Sequence, residues 1–217
     1  MRRRWFNVYL LLFSVVLLDQ VTKVWVKTHL SYGEEIRILG QDWALIHFVE
    51  NDGMAFGISF GGAYGKLLLS LFRLGAVTLL LLYLRQLLRS GVHWAVVTGF
   101  TLIEAGAVGN IIDSVFYGRL FSYSVPGGDP AQFLPPGGGY APLLHGRVVD
   151  MLYFPVAYGN WPEWLPGLGG RAYVFFRPVF NLADVAISVG VVIALVGYYG
   201  CYRPSVVKVV DGADGAE

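Results

Sequence analysis

Four stretches of the chain are apolar enough to cross a bilayer, and their spacing sets the frame for everything between them. The first runs from Trp5 to Leu18 and continues through Asp19-Gln20-Val21-Thr22-Lys23-Val24-Trp25-Val26. At about 22 residues it has the length of a spanning helix. Its start, with Arg2, Arg3 and Arg4 before an apolar run, imitates a secretory signal; no small-residue cleavage site follows, so the pattern predicts a retained helix over about 5–26. Further spanning helices are predicted over about 67–84, 94–115 and 179–199. Between the first two, the periodicity shortens to β-like runs, Ile36-Arg37-Ile38-Leu39 and Ala44-Leu45-Ile46-His47-Phe48-Val49, around the turn residues Gly40-Gln41-Asp42. A small sheet lying on the membrane is expected there, over about 31–60. The fold class is therefore an all-α polytopic membrane protein with a small extracytoplasmic β-sheet and one long outer loop, about 116–178.

That loop contains an insert, 122–144, rich in glycine and proline, which reads as a mobile segment. After it, Tyr153, Tyr158, Trp161, Trp164, Tyr173, Phe175 and Phe176 suit the headgroup level. Charge fixes the expected sidedness. Arginines at the amino end, Arg85, Arg89 and His93 in the link between the second and third crossings, and Arg203 and Lys208 in the tail 203–217 put all three basic clusters in the cytoplasm. One membrane-embedded domain over 1–217, with both termini inside, accounts for the whole chain.

Composition agrees and narrows the chemistry. With 55% hydrophobic and 14% charged residues, the chain is too apolar for a soluble domain of 217 residues. A net charge of +1 offers no electrostatic case for nucleic acid. The single cysteine, Cys201, excludes an intrachain disulfide and a cysteine-rich metal site, while His29, His47, His93 and His145 are scattered, so no metal or other cofactor is expected.

The polar residues inside the apolar runs carry the functional signal, because an ionisable group at membrane depth is costly unless paired, protonated or used. Asp19 and Lys23 are spaced i, i+4 and share a helix face; Asn110 and Asp113 are spaced i, i+3 beside the small residues Ala105-Gly106-Ala107. Arg73 sits within the second run, where it either snorkels or meets a carboxylate. Asp150 lies among Val148, Val149, Met151 and Leu152, and Asp184 opens the last apolar run. Two carboxylates at one depth cannot both ionise cheaply, and such a pair can activate water while protonating a peptide carbonyl. Two rival readings stay open on composition alone: a proton relay through Asp19, Asp113, Asp150 and Asp184, and polar residues that only glue helices together.

The order of short motifs goes further. Leu18-Asp19-Gln20 with Lys23, Glu50-Asn51 with Gly53, Ala55 and Phe56, Gly109-Asn110-Ile111-Ile112-Asp113, Gly146 with Val148 and Asp150, and Phe180-Asn181-Leu182-Ala183-Asp184 closely resemble lipoprotein signal peptidase, the bacterial signal peptidase II family. The resemblance implies that Asp150 and Asp184 are the catalytic pair and that Asp19, Lys23, Asn51, Gly53, Asn110, Asp113 and Asn181 bind substrate or brace the site. It also implies an aspartic endopeptidase of the bacterial inner membrane that removes the signal peptide of a diacylglyceryl prolipoprotein, cutting before the lipid-modified cysteine. Membrane lipid and that substrate are the expected partners of a monomeric enzyme. Ser114 departs from the family pattern, which has Arg after the Asp, and the spacer between Gly118 and Gly146 is longer than usual.

Overall fold

A computed structural model describes residues 2–52 and 62–201; Gly53, Ala55, Phe56 and the tail 203–217 lie outside the described residues. The first crossing is α1 (Arg2–His29), the second α2 (Gly62–Ser90). The third is α3 (Trp94–Ile112), continued by a π-turn, Asp113–Tyr117, and a single turn, α4 (Gly118–Leu120). The fourth is α5 (Leu182–Cys201), whose 20 residues span about 30 Å, the thickness of a bilayer's hydrocarbon core. All four have the length and composition of membrane crossings. The first two helices run past the ends of their apolar stretches because arginine and lysine are good helix formers. Loss of apolarity marks the edge of the crossing, not of the helix.

Helix pairing follows the small residues. Lipid tails are as apolar as leucine, so close packing rather than burial drives helices together in a membrane. A Cβ placed on Gly106 would lie 2.2 Å from the Ala183 carbonyl oxygen, one on Gly99 would lie 2.5 Å from the Ala194 nitrogen, and one on Gly190 would lie 2.6 Å from the Gly99 oxygen. α3 and α5 therefore meet backbone to backbone. α1 turns Asp19, Lys23, Val26 and Lys27 inward at helical spacing, while Phe6, Phe13, Leu18 and Trp25 face outward. At the opposite end of the bundle Val8, Leu84, Leu87, Leu88, Val96 and Val97 close an apolar core between α1, α2 and α3.

A four-stranded antiparallel sheet covers the end of the bundle where α1 stops and α5 starts. Its order is β1 (Glu35–Arg37), β2 (Leu45–Asn51), β3 (Val148–Tyr153), β6 (Val179–Phe180). The sequence placed a sheet within 31–60, and the structure recruits two further strands to it from beyond the third crossing. Val179 and Phe180, read as the start of the last helix, instead pair with Tyr153 and Leu152. The hairpin β4 (Ala157–Asn160) and β5 (Ala172–Phe175) forms a separate two-stranded sheet.

The Gly/Pro-rich insert is a loop, as expected, and it is tied down at several points. Its ends are tied to the third crossing by Ala141 N–H to Gly118 O (2.9 Å), Tyr140 N–H to Phe121 O (3.1 Å) and Leu134 N–H to Leu120 O (2.7 Å). Phe121, Tyr117 and Phe48 share one core with Val149 and Met151 beneath the sheet. One of the insert's glycines serves close approach, since a Cβ on Gly139 would lie 2.1 Å from the Gly118 oxygen, whereas Gly127, Gly137 and Gly138 have open space on that side.

The α3–α5 contact generates a direct test. Alanine favours a helix over glycine by about 1 kcal/mol, so Gly75→Ala on α2, where nothing lies within 4 Å, is expected to leave the melting temperature in detergent unchanged or slightly raised. Gly106→Ala drives a methyl into the Ala183 carbonyl and is expected to lower it by several degrees. Equal melting temperatures for the two variants would contradict backbone contact at Gly106.

Candidate active site

The last helix begins with a reciprocal cap. The Asp184 N–H donates to Asn181 Oδ1 at 3.0 Å, and the Asn181 N–H donates to Asp184 Oδ2 at 3.2 Å, so each side chain satisfies the other's backbone. Ala183 N–H, a further first-turn donor with no partner within the helix, donates to Asp19 Oδ1 of α1 at 2.9 Å. Asp184 is therefore held at the start of α5, where the first-turn N–H groups point.

Asp150 reaches the same place from the sheet. Alternation along β3 sends Val149 and Met151 into the core with Phe48 and Tyr117, and turns Asp150 to the opposite side, toward Asn181. Opposite it, β2 carries a bulge between Ile46 and Val49, an irregularity that bends a strand and re-aims its side chains.

Two asparagines join the acids. Asn110 Nδ2 donates to Asp184 Oδ1 at 2.9 Å, and Asn110 Oδ1 accepts from Asn181 Nδ2 at 3.1 Å. Asn181 Nδ2 also faces Asp150 Oδ1 at 2.7 Å and the Val149 carbonyl at 3.3 Å. With two hydrogens for three acceptors, its shortest bond goes to Asp150. The chain Asp184, Asn110, Asn181, Asp150 is continuous, and Asn51 adds a side-chain hydrogen bond to Asp150. Burial, and next the charge of Asp184, push the Asp150 carboxyl up to about 7, against the pull of the Asn181 hydrogen bond, of Lys23 and of Asn51.

Behind the pair lies a buried ion cluster. Lys23, wholly buried, donates to Asp19 Oδ2 (2.9 Å), Asp113 Oδ2 (2.8 Å) and Asn110 Oδ1 (2.8 Å), which uses all three ammonium protons. Asp113 accepts from Gln20 Nε2 at 2.9 Å and from the Val149 N–H at 3.3 Å, so one carboxylate ties α1 to the strand that carries Asp150. Gly109 leaves room for this arrangement, since a Cβ there would lie 2.6 Å from Asp19 Oδ2. The π-turn opens at Asp113, and such turns often mark functional positions in helices. Ser114, buried, donates to the Asn110 carbonyl at 3.1 Å.

Several members of the site were not singled out from the sequence. Gln20 accepts from the Tyr117 hydroxyl at 3.2 Å while donating to Asp113. Lys27 pairs with Glu50 and donates to Ser124 Oγ at 2.9 Å, within 6 Å of the Phe48, Phe121 and Tyr140 rings, so the insert carrying Ser124 and Tyr140 completes a second buried ion pair. Lys27 lies i+4 from Lys23 and i+8 from Asp19, a helical stripe that was readable. Arg147 closes the rim through Asp52 Oδ1 (3.2 Å) and Tyr123 (3.3 Å). Among the described residues no group of three His, Cys, Asp or Glu side chains is arranged to hold a metal ion.

Known proteins share this plan. Residues 11–199 match the family model described as signal peptidase (SPase) II. A lipoprotein signal peptidase of Porphyromonas gingivalis is 48% identical over 203 residues, covering 93% of this chain and 85% of the relative. One of Amoebophilus asiaticus is 37% identical over 195 residues, covering 88% and 77%. A bacterial membrane enzyme solved by the in meso method at 1.9 Å has the same fold, with a TM-score of 0.58 and 21% identity over 92% of this chain and 94% of its own. With its four crossings and sheet, and with a family match that runs from the first helix into the last, the chain belongs to the signal peptidase II family.

Proposed function

We propose that this protein is a membrane aspartic endopeptidase that removes the signal peptide from diacylglyceryl-modified prolipoproteins, cutting before the lipid-modified cysteine. Its family processes prolipoproteins. The observation that carries the finer reading is the bridged pair, two carboxylates joined through Asn110 and Asn181, with one of them pushed up to about 7. The environments separate the two acids. Asp184 takes a hydrogen bond from Asn110 and sits at a helix start, and Asp150, buried in the sheet, is the member whose affinity for a proton is raised.

In the proposed reaction the Asp184 carboxylate takes a proton from water, the water oxygen attacks the scissile carbonyl carbon, and Asp150 protonates the carbonyl oxygen. Collapse of the tetrahedral intermediate breaks the C–N bond: the proton held by Asp184 leaves with the amine, and a hydroxyl proton of the intermediate returns to Asp150 as the carbonyl re-forms. Asp19, Lys23, Asp113 and Asn181 hold the two acids in register, and Asn51 and the neighbouring Gly53 belong to the substrate side. The gathering of Asp19, Asp113, Asp150 and Asp184 at one end of the bundle supports this reading over a relay crossing the membrane. We place that end at the outer face of the bacterial inner membrane, with both termini cytoplasmic, on the strength of the basic clusters. The reading involves no cofactor and no nucleic acid, and one chain supplies every residue named.

Cleavage of a diacylglyceryl prolipoprotein by purified protein tests the assignment. Asp150→Asn and Asp184→Asn are each expected to lose at least about 100-fold in kcat while eluting from size exclusion like the parent. Cleavage by either at a tenth of the parental rate would overturn the dyad. Because Asp150 acts while protonated, the parental rate is expected to fall as pH rises through about 7.

The substrate's lipid should matter to turnover as well as to affinity. Burying acyl chains at about 0.8 kcal/mol per CH₂ fixes the depth of the scissile bond, and that binding energy aligns the reacting carbonyl. A precursor with an unmodified cysteine is expected to show kcat/KM lower by about 100-fold or more in the same bilayer. Comparable values would refute lipid-directed positioning.

A further inference from the structure

A second lysine stands one turn beyond Lys23, and its contacts reach the strands that carry Asp150 from another side. Lys27, in the last turn of α1, is wholly buried and pairs with Glu50 of β2, whose side chain is buried too. The Lys27 ammonium also donates to Ser124 Oγ at 2.9 Å, and Ser124 Oγ donates to Glu50 Oε1 at 3.1 Å. Cation, anion and hydroxyl thus close a triangle between α1, β2 and the insert. Rings of Phe48, Phe121 and Tyr140 surround the ammonium at 5.9, 5.4 and 5.2 Å. The insert also fastens its Ala131 N–H to the Lys27 carbonyl at 3.0 Å.

What this triangle grips is one rung of the sheet. Glu50 stands opposite Val149 in the β2–β3 ladder. Val149 donates its N–H to Asp113 Oδ2 at 3.3 Å and accepts from Asn181 Nδ2 at 3.3 Å, and the same nitrogen donates to Asp150 Oδ1 at 2.7 Å. Lys23 therefore holds the rung through Asp113, on the β3 side, and Lys27 holds it through Glu50, on the β2 side. The sheet itself leaves the rung in need of a second hold. Register shifts between Ile46 and Val49, so the pairing of Leu45 with Tyr153 does not dictate the pairing of Glu50 with Val149. On the other edge β6 pairs with β3 at Leu152 and Tyr153, so among the described strands β2 alone pairs with it at Val149 and Asp150.

Resting on the dyad reading above, we propose that Lys27, Glu50 and Ser124 form a positioning clasp for Asp150. By pinning the rung next to that acid, the clasp sets where its carboxyl meets the scissile carbonyl, and it makes the insert a participant in turnover. The three side chains act through the strand, so their effect falls on the chemical step. A misplacement of about 1 Å at a reacting group costs on the order of 100-fold in rate.

The test is steady-state cleavage of a diacylglyceryl prolipoprotein by the purified full-length protein, run well below each variant's melting temperature, together with amide hydrogen exchange of β3. Lys27→Met strands Glu50 as a buried, unpaired carboxylate and is expected to lower both kcat and the melting temperature. Lys27→Met combined with Glu50→Met replaces the ion pair by apolar side chains, an exchange that is often neutral for stability but has no directional hold. In this double variant the melting temperature is expected to recover while kcat stays down by about ten-fold or more, with KM within about two-fold of the parent and faster exchange at the Val149 amide. Ser124→Ala and Glu50→Gln, which disturb the triangle mildly, are each expected to lower kcat by about three-fold at unchanged KM, and they decide the matter if the lysine variants do not fold. Recovery of kcat along with the melting temperature in the double variant would make the pair purely structural and overturn the proposal. So would a rise in KM with kcat unchanged, parental exchange at Val149, or parental kcat in both mild variants. Asp150→Asn and Asp184→Asn run alongside: if they cut normally, the dyad reading itself fails, and if they are dead while the clasp variants keep the parental kcat, only the clasp is lost.

Discussion

Everything at the sheet end of this bundle hangs on a lysine buried out of reach of solvent. Lys23 spends its three protons on Asp19, Asp113 and Asn110, and through them it reaches α3, the strand that carries Asp150 and the first turn of α5. A buried ion pair of this kind is weak evidence of stability, since removing the charges from water offsets most of the attraction. What it enforces is geometry. Losing one partner strands an ion in a medium that cannot solvate it, at a cost of about 3–5 kcal/mol, so alternative helix registers that break the cluster are excluded. That is the property a pair of acids needs if their separation is to be kept.

The same residues also explain why the two carboxylates differ. Asp184 is caught in a cap that any helix start could provide, with Asn181 as its reciprocal partner. Asp150 enters from a strand whose neighbours on both sides are buried, and burial there raises its affinity for a proton. Identical side chains thus acquire different surroundings from the secondary structure that presents them. The asparagines between them are neutral and link the acids by donating to both, Asn110 to Asp184 and Asn181 to Asp150.

Much of this was legible in the sequence, and the parts that were not share a cause. The crossings announce themselves because a bilayer imposes length and composition on each helix separately. Asp19 with Lys23, and Asn110 with Asp113, are readable for the same reason: a helix face is local. Strand β3 was harder, because its pairing with β2 joins residues about a hundred positions apart and an aspartate interrupts its apolar run. Val179 and Phe180 look like the first turn of a helix until β3 is present to claim them. The insert was legible as a loop, but glycine marks both open chain and places where backbones touch, and only the fold tells Gly139 from Gly137 and Gly138. Lys27 was available as the next step on the stripe that starts at Asp19, but its partner Glu50 comes from a strand and Ser124 from the insert, so the full cluster exists only in three dimensions.

The way the insert is anchored also bears on how this chain can change. Its entry and exit are laced together at the end of the third crossing, Gly118 to Ala141 and Phe121 to Tyr140, before the chain turns to Arg147 and β3. Ser122 and Gln132 close a second, inner neck. Beyond that neck Ser124 and Ala131 are still fastened to Lys27 and Tyr123 to Arg147, so it is the bends between these points that are free of the strand that follows. The exposed bends near Gly127 and Gly138 can therefore lengthen, shorten or drift over generations while the path into Asp150 stays fixed, which makes this the natural place for lineages to experiment without risk to the chemistry.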